Sequence, residues 1–333
     1  MISAGKKITQ GRPFLRSRSV VAGGIALLLF CAPPNLFAAA ENEVGSIKEL
    51  RGTAAIHRAK EKIEARKNEA VFKTDAVKTF DKSRAKLIFV DDSLVMVGPN
   101  SMFQISEHFK GTKNTSVFNL VDGVMNVIVG KSGFEVRTPT AVTAARGTSY
   151  LVWVEGGKTG LAVTEGRVDF SAVNAPPDKK MIIPAGRMSV IEIGKPPVIA
   201  VKTPPDVINR FYEQTLEKDE RWGPVLLRAT GSGIRPPNMT NPAQSRLMAV
   251  RAAKVEAMRN LLEQAQGVSI VSDTKIQDFV TKSDLIRARV DSFIKGAWIA
   301  EERELADGTI EVDMEIALGI GFRRMFLEQA EKQ

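Results

Sequence analysis

The sequence predicts a multidomain protein in which an all-β roll, similar to a double-stranded β-helix, precedes a small α+β domain. Its 333 residues suffice for two domains of ordinary size. Apolar residues alternate with period two over about 45–194, between Gly, Asp, Asn and Pro, whereas helical spacing appears only later. The predicted segments are a signal peptide (1–40), the all-β domain (45–194), a Pro-rich connector with a short helix (195–227), the α+β domain (228–319) and a C-terminal tail (320–333).

The first forty residues have the pattern of a secretory signal peptide. Five basic residues precede an uncharged apolar run at 20–32, and small residues at 38–40 follow it. The run is short for a membrane span and ends at two prolines, so we expect cleavage after Ala38 or Ala40 and a periplasmic protein without a stable membrane span. An uncleaved inner-membrane anchor is the alternative. Cys31 is not expected to carry a lipid, because Leu29 and Phe30 before it do not fit a lipid-attachment site. Cleavage of the leader would therefore remove this cysteine.

The composition is that of a folded protein, with 44% hydrophobic and 26% charged residues. Because the leader carries five basic and no acidic residues, cleavage lowers the formal net charge from +9 to +4. Such a charge favours solubility and does not indicate nucleic-acid binding, and no basic patch is interleaved with aromatic residues. A mature chain without cysteine would contain no disulfide, and the sequence contains no pattern that predicts a cofactor.

A loose glycine repeat runs through the predicted β domain. A glycine opens an alternating strand at each of five places, and the last four are 24, 19 and 20 residues apart: Gly52, Gly123, Gly147, Gly166 and Gly186. This spacing suits a chain that winds through successive rungs, each turned by a glycine. Ordinary turns of any all-β domain would explain it as well.

The C-terminal region combines helices with a hairpin. Asn241 is a suitable N-cap, Pro242 suits the first helical position and Gly267 suits the end of this helix. The helix is predicted to bury Leu247, Val255, Met258 and Leu262 on one face. A second helix is predicted from residue 283, and a hairpin turns at 306–308 into a strictly alternating strand at 309–318.

Arg251 lies within this predicted apolar helix face. It is interpreted either as a snorkelling arginine whose aliphatic stem covers the core or as half of a buried ion pair with a strand carboxylate. The second interpretation predicts that Arg251→Met costs more stability than Arg259→Met.

No arrangement typical of an enzyme is present, so the chain is predicted not to be one. The two histidines, His57 and His108, are predicted on solvent-facing strand positions, away from any G-x-S-x-G pattern. The segment 91–93 (Asp-Asp-Ser) is expected to form a turn. The acidic row Glu311, Asp313 and Glu315 is interpreted as a solvated sheet face, although such a row could also collect a cation or a basic partner. The ligand spacing of a zinc site is absent.

The stretch VRTPTAVTAARGTSYLVWV at 136–154 identifies the β region by resemblance. Its Thr-Pro and Arg-Gly-Thr, together with a D-x-S strand upstream and Glu-Gly-Arg downstream, resemble the FecR domain, a periplasmic all-β domain, over about 45–173. The motif residues are Thr138, Pro139, Arg146, Gly147 and Thr148. They are interpreted as mostly structural: Thr138 and Pro139 end a strand, Gly147 permits a bulge or close approach, and Arg146 ties the turn to a neighbouring rung.

The resemblance implies a binding or scaffold module of the cell envelope. Members that relay signals carry an anti-sigma segment before a membrane helix, but only 19 residues precede the apolar run here. The expected partners are other envelope proteins, with peptidoglycan or polysaccharide as an alternative. The alternative function is that of a membrane-anchored FecR-type sensor of envelope signalling. Residues 228–319 are similar to the small envelope domain of flagellar assembly protein T and related lipoproteins, on motifs such as Ala-Thr-Gly-Ser-Gly at 229–233.

Overall fold

The computed structural model describes residues 43–108, 114–271 and 274–330. The predicted signal peptide therefore lies outside the described residues. In the described part the protein is mostly β, with a large sheet assembly and five α-helices. No described helix is long and apolar enough to cross a membrane.

Seventeen strands build the large β assembly of the described chain. They are β1 (Glu43–Arg51), β2 (Ala54–Arg58), β3 (Glu61–Glu64), β4 (Ala70–Phe72), β5 (Ala76–Thr79), β6 (Arg84–Phe89), β7 (Leu94–Val97), β8 (Met102–Glu107), β9 (Thr115–Ile128), β10 (Gly133–Arg137), β11 (Ala141–Arg146), β12 (Ser149–Glu155), β13 (Lys158–Glu165), β14 (Arg167–Ala172), β15 (Met181–Pro184), β16 (Arg187–Glu192) and β17 (Val201–Lys202).

The strand pairings divide this assembly into two sheets that share β9. Sheet 1 has the order β4-β1-β6-β7-β9-β12-β13-β16-β17. Sheet 2 has the order β3-β2-β5-β8-β9-β10-β11-β14-β15, and its β9–β10 pair is parallel. The first half of β9 pairs in sheet 2 and the second half in sheet 1, with Gly123 at the change. A continuous apolar core that includes Ile47, Phe118 and Tyr150 draws on strands of both sheets.

The five glycines of the sequence repeat lie where the chain passes from one sheet to the other. Each has a positive φ, from +59° at Gly147 to +90° at Gly123, which residues with a side chain rarely adopt. The prediction that glycines turn this chain between strands is therefore confirmed. Several strands were not predicted, among them β3, β11 and β15, because they are short or carry charged and small residues that give little alternation.

The predicted connector helix is α1 (Pro205–Thr215), which packs on the outer side of sheet 1. Ile208, Phe211 and Tyr212 are buried there, and the Trp153 ring lies 4.5 Å from the Phe211 ring centroid to centroid. Helix and sheet form a second apolar cluster, so this part of the connector is packed against the β domain rather than suspended between two bodies.

The C-terminal region places four helices around a three-stranded antiparallel sheet of order β18-β22-β21. Its elements are β18 (Val225–Gly233), α2 (Pro242–Gln266), β19 (Ser269–Val271), β20 (Thr274–Lys275), α3 (Ile276–Lys282), α4 (Asp284–Ile294), β21 (Trp298–Glu304), β22 (Ile310–Leu318) and α5 (Ile320–Ala330). The predicted N-cap is confirmed, because Asn241 Oδ1 accepts from Ala243 N at 3.0 Å. The hairpin is confirmed as well, with Gly308 at φ +84°.

The predicted core face of α2 is only partly correct, because Met258 and Leu262 pack against the C-terminal core but the other two residues do not. Leu247 and Val255 are 49% and 69% exposed, whereas Ala249, Ala253 and Ala257 are buried against β18. The reason is that Gly231 and Gly233 of β18 present bare backbone to the helix, so alanines approach where larger side chains could not. The predicted C-terminal tail is also corrected: residues 320–330 form α5, because Phe322 and Phe326, one turn apart, are buried in the C-terminal core.

Candidate functional site

The Thr-Pro part of the motif lies in the turn between β10 and β11. The Thr138 hydroxyl accepts a hydrogen bond from Ala141 N at 2.9 Å, which closes the turn. Thr138 Oγ1 and Thr140 Oγ1 each lie 2.6 Å from Thr159 Oγ1 on β13. These buried threonines therefore connect sheet 2 to sheet 1, and Pro139 occupies a bend between two strands.

The Arg-Gly-Thr part forms the corner between β11 and β12. Gly147 has φ +59°, and no heavy atom lies within 4 Å of the place that a Cβ would occupy. Backbone conformation rather than crowding thus requires glycine here, so the close approach offered as one interpretation is not present. Thr148 is buried, and its hydroxyl has no hydrogen-bond partner in the described structure.

Arg146 is exposed, and its side chain forms neither a hydrogen bond nor an ion pair within the described residues. The tie to a neighbouring rung that we predicted for it is absent there. The register that pairs Ala145 with Val168 places Arg146 and Arg167 at the same end of the β11–β14 ladder, and Arg167 is also exposed. Two arginines at one sheet corner that have no acidic partner among the described residues make this corner a candidate site for an acidic group.

Neither histidine lies on a fully exposed strand face, which corrects the prediction for both. His57 is half-buried, with Nε2 unpartnered in the described structure. His108 is half-buried, its Nδ1 lies 2.7 Å from Ser116 Oγ, and burial lowers its pKa. Ser116 is completely buried, so its hydroxyl is not open to solvent in the described structure.

The segment 91–93 forms the predicted turn, with Asp92 at φ +66°. The buried Asp91 carboxylate accepts hydrogen bonds from Ser93 N at 3.1 Å, from Ser93 Oγ at 2.8 Å and from Ser132 Oγ. These bonds fasten the turn to the loop that connects β9 and β10. The role of the carboxylate is therefore structural.

Glu165 connects the β domain to the C-terminal region, and sequence reasoning missed it. Its buried carboxylate accepts a hydrogen bond from Phe322 N of α5 at 2.7 Å and from Ser149 Oγ at 2.9 Å. Burial raises the pKa of Glu165 to about 7, while these bonds and the backbone of Gly319 and Gly321 act in the opposite direction. A carboxylate from one part of the chain thus caps the first turn of a helix from another.

The acidic row on β22 is not simply solvated. Asp313 is buried and lies 2.7 Å from Arg228 Nη2 and 2.8 Å from Arg303 Nη1. The same arginines reach Glu315 at 3.4 Å and Glu311 at 2.8 Å. Bonds from Arg303, Thr230 and Arg228 lower the pKa of Asp313 well below its usual range. The acidic residues of this row therefore form ion pairs with neighbouring arginines. No group of three or more potential metal ligands occurs in the described part of the chain.

Arg251 is exposed, and its Nη1 lies 3.9 Å from Met248 Sδ. Of the two interpretations of Arg251, the buried ion pair is therefore not formed in the described structure, because the helix turns its alanine face rather than the Leu247 face to the sheet. A buried strand carboxylate, Asp313, is instead paired with Arg228 and Arg303, whose own side chains are partly exposed and lie on the sheet itself.

Comparison with known proteins supports the resemblance for part of the chain. The family model described as FecR protein matches residues 75–169, within the β region and including Arg146. No curated protein matches the sequence. Two crystal structures, both of proteins provisionally assigned as anti-sigma factors from Parabacteroides distasonis ATCC 8503, show weak similarity. One is 13% identical (TM-score 0.36; 41% of this chain, 63% of that chain), the other 11% identical (TM-score 0.35; 54% and 74%).

Proposed function

We propose that the chain is an exported, non-enzymatic protein of the cell envelope that acts as a protein–protein interaction or scaffold module. The match to the FecR family at residues 75–169 supports an envelope role. The signal-peptide pattern of the first forty residues supports export to the periplasm. The expected partners are other envelope proteins, and the expected mechanism is docking on corners and edges of the β domain.

The residue on which this proposal rests is Arg146. It belongs to the family motif, yet its guanidinium is exposed and unpaired in the described structure. The fold needs Thr138 for the turn and Gly147 for its φ, whereas no contact of the fold needs Arg146. An exposed arginine next to a second one, Arg167, presents fork-like donors that suit a carboxylate on a partner surface.

Arg146→Ala is expected to leave stability unchanged within about 0.5 kcal/mol while reducing partner capture. The measurements are thermal unfolding of the purified chain and quantitative crosslinking in cells, followed by mass spectrometry of the trapped proteins. Arg137→Ala is the matched control, because Arg137 is exposed on the same sheet but paired with Glu135 at 2.6 Å. Retained capture together with a clearly lower melting temperature would show that Arg146 serves the fold instead.

A membrane-anchored FecR-type sensor is the second candidate, favoured by the same family match. It requires that residues 20–40 remain attached, so sequencing the N-terminus of the periplasmic form separates the two proposals. A start at Ala39 or Glu41 excludes the anchored version.

Binding of cell-wall polysaccharide has less support from the structure. Trp153 is buried against α1, and Trp222 and Trp298 are partly buried in apolar clusters, so exposed rings for stacking on sugars are not provided by the tryptophans. Co-sedimentation of the purified chain with purified cell wall tests this candidate.

A further inference from the structure

Strand β17 forms one edge of sheet 1. It pairs with β16 through Arg187 with Lys202 and Met188 with Val201, and no strand of the described chain pairs with its other side. The segment before it is held to β16 as well, since Val198 N donates to Val190 O at 3.0 Å. One side of the two-residue strand β17 is therefore left for another strand, next to a segment that is held to β16 at Val198.

This edge exposes large apolar side chains. Val198, Ile199 and Val201 are 56%, 79% and 51% exposed, although β-branched residues prefer the covered faces of sheets. Proteins usually protect an edge of this kind with charges, prolines or a covering element. Here Lys202 and the prolines at 196–197 and 204–205 confine the free edge to the few residues between them, whose exposed apolar side chains are typical of a docking site for a short extended segment.

Two cationic side chains lie at the same edge. Arg187 and Lys202 are direct cross-strand neighbours, and like charges in that position destabilise a sheet. Arg187 donates to Ala200 O at 3.5 Å, and neither cation has a carboxylate partner in the described residues. Both line a cavity of about 330 Å³ together with Arg228 and a single carboxylate, Glu315. Acidic groups of a partner would therefore relieve the repulsion.

We propose that an extended segment of a protein partner, with alternating acidic and apolar residues, adds to β17 as a further strand of sheet 1. Its backbone bonds to the free edge, its apolar side chains cover Ile199 and Val201, and its carboxylates reach Arg187 and Lys202. Edge-to-edge pairing with a second copy is disfavoured, because it would bring the same cations together. This inference rests on the proposed function, for which it specifies a docking surface and the chemistry of the partner.

The test uses the full mature chain and two labelled eight-residue probes, one of alternating Glu and Val and one of alternating Lys and Val. We expect the Glu-Val peptide to bind, in fluorescence anisotropy, and to protect from hydrogen exchange those amides of 199–202 that do not bond to β16. The double variant Arg187→Glu/Lys202→Glu should weaken this peptide at least about tenfold and gain affinity for the Lys-Val peptide. Lys179→Glu/Lys180→Glu is the control, since it makes the same charge change on exposed residues elsewhere.

The proposal is overturned if the Glu-Val peptide does not bind, if both peptides bind equally, or if the control variant weakens binding as much as the edge variant. A stable dimer in which the same amides are protected without peptide would also overturn it, in favour of a second copy. If the peptide does not bind, the Arg146 experiment still tests the proposed function, because partner capture at the β11–β12 corner does not involve β17. Failure of the Arg146 experiment likewise leaves the peptide result standing.

Discussion

Glu165→Gln is expected to remove a decline in stability that the unchanged protein shows as pH rises from about 5 to about 7. The folded-state pKa of Glu165, about 7, lies above its ordinary value of 4.5. Below the ordinary value, the carboxyl is protonated in both folded and unfolded chains. Between the two values the folded chain retains a proton that the unfolded chain releases, so the free energy of unfolding falls with rising pH. The expected fall is about 3 kcal/mol, since one pKa unit corresponds to about 1.4 kcal/mol.

The measurement is urea unfolding across this pH range, together with hydrogen exchange of the Phe322 amide, which bonds to Glu165. The amide should exchange faster as pH rises, beyond the intrinsic effect of pH, because the ionised carboxylate is costly in its buried position. Tyr212, the other titratable group that faces Glu165, remains neutral because burial raises its pKa. The exposed Glu155→Gln is the control and should keep the decline. An unchanged decline in Glu165→Gln would assign it to another group.

The positions of the turns in the β domain could be predicted from the sequence, whereas most contacts between distant residues could not. The glycine repeat indicated where the chain turns, because a positive φ is a local requirement that only glycine meets easily. The Asp91 turn and the Asn241 cap are local in the same way, since each bonds within three residues. Such features depend on neighbours in the chain, and the sequence displays them directly.

The interactions of Glu165 and Arg251 could not be predicted for the opposite reason. Glu165 meets the amide of Phe322, 157 positions away, and within Glu-Gly-Arg it has the pattern of an ordinary turn residue. The large apolar residues of α2 predict a core face that includes Arg251. The neighbouring strand carries glycines, however, and therefore packs against the alanine face of α2. Helical spacing gives the period of a buried face, whereas the partner surface decides which face it is.

The Arg146 corner lies between these cases. The motif was visible in sequence, but whether its arginine binds within the fold or faces outward depends on the strands beside it. The register places Arg146 and Arg167 at the same end of the β11–β14 ladder, and neither side chain forms an ion pair within the described residues.

Gly233→Ala is expected to destabilise the C-terminal region by about 3 kcal/mol. A Cβ at Gly233 would lie 1.9 Å from the carbonyl oxygen of Ala249, and a backbone atom of a packed helix cannot swing aside as a side chain does. Helix α2 would have to lift from β18 and give up the burial of Ala249, Ala253 and Ala257.

Gly223→Ala is the matched control for this substitution, because no heavy atom lies within 4 Å of the added Cβ and its φ is not positive. Its effect should remain within about 0.5 kcal/mol. The measurement is denaturant unfolding followed by tryptophan fluorescence, which reports on Trp153 in the β domain and Trp222 in the C-terminal cluster. If the C-terminal region unfolds separately from the β domain, Gly233→Ala lowers only one of two transitions. Equal stability of the two variants would mean that α2 does not pack closely on β18.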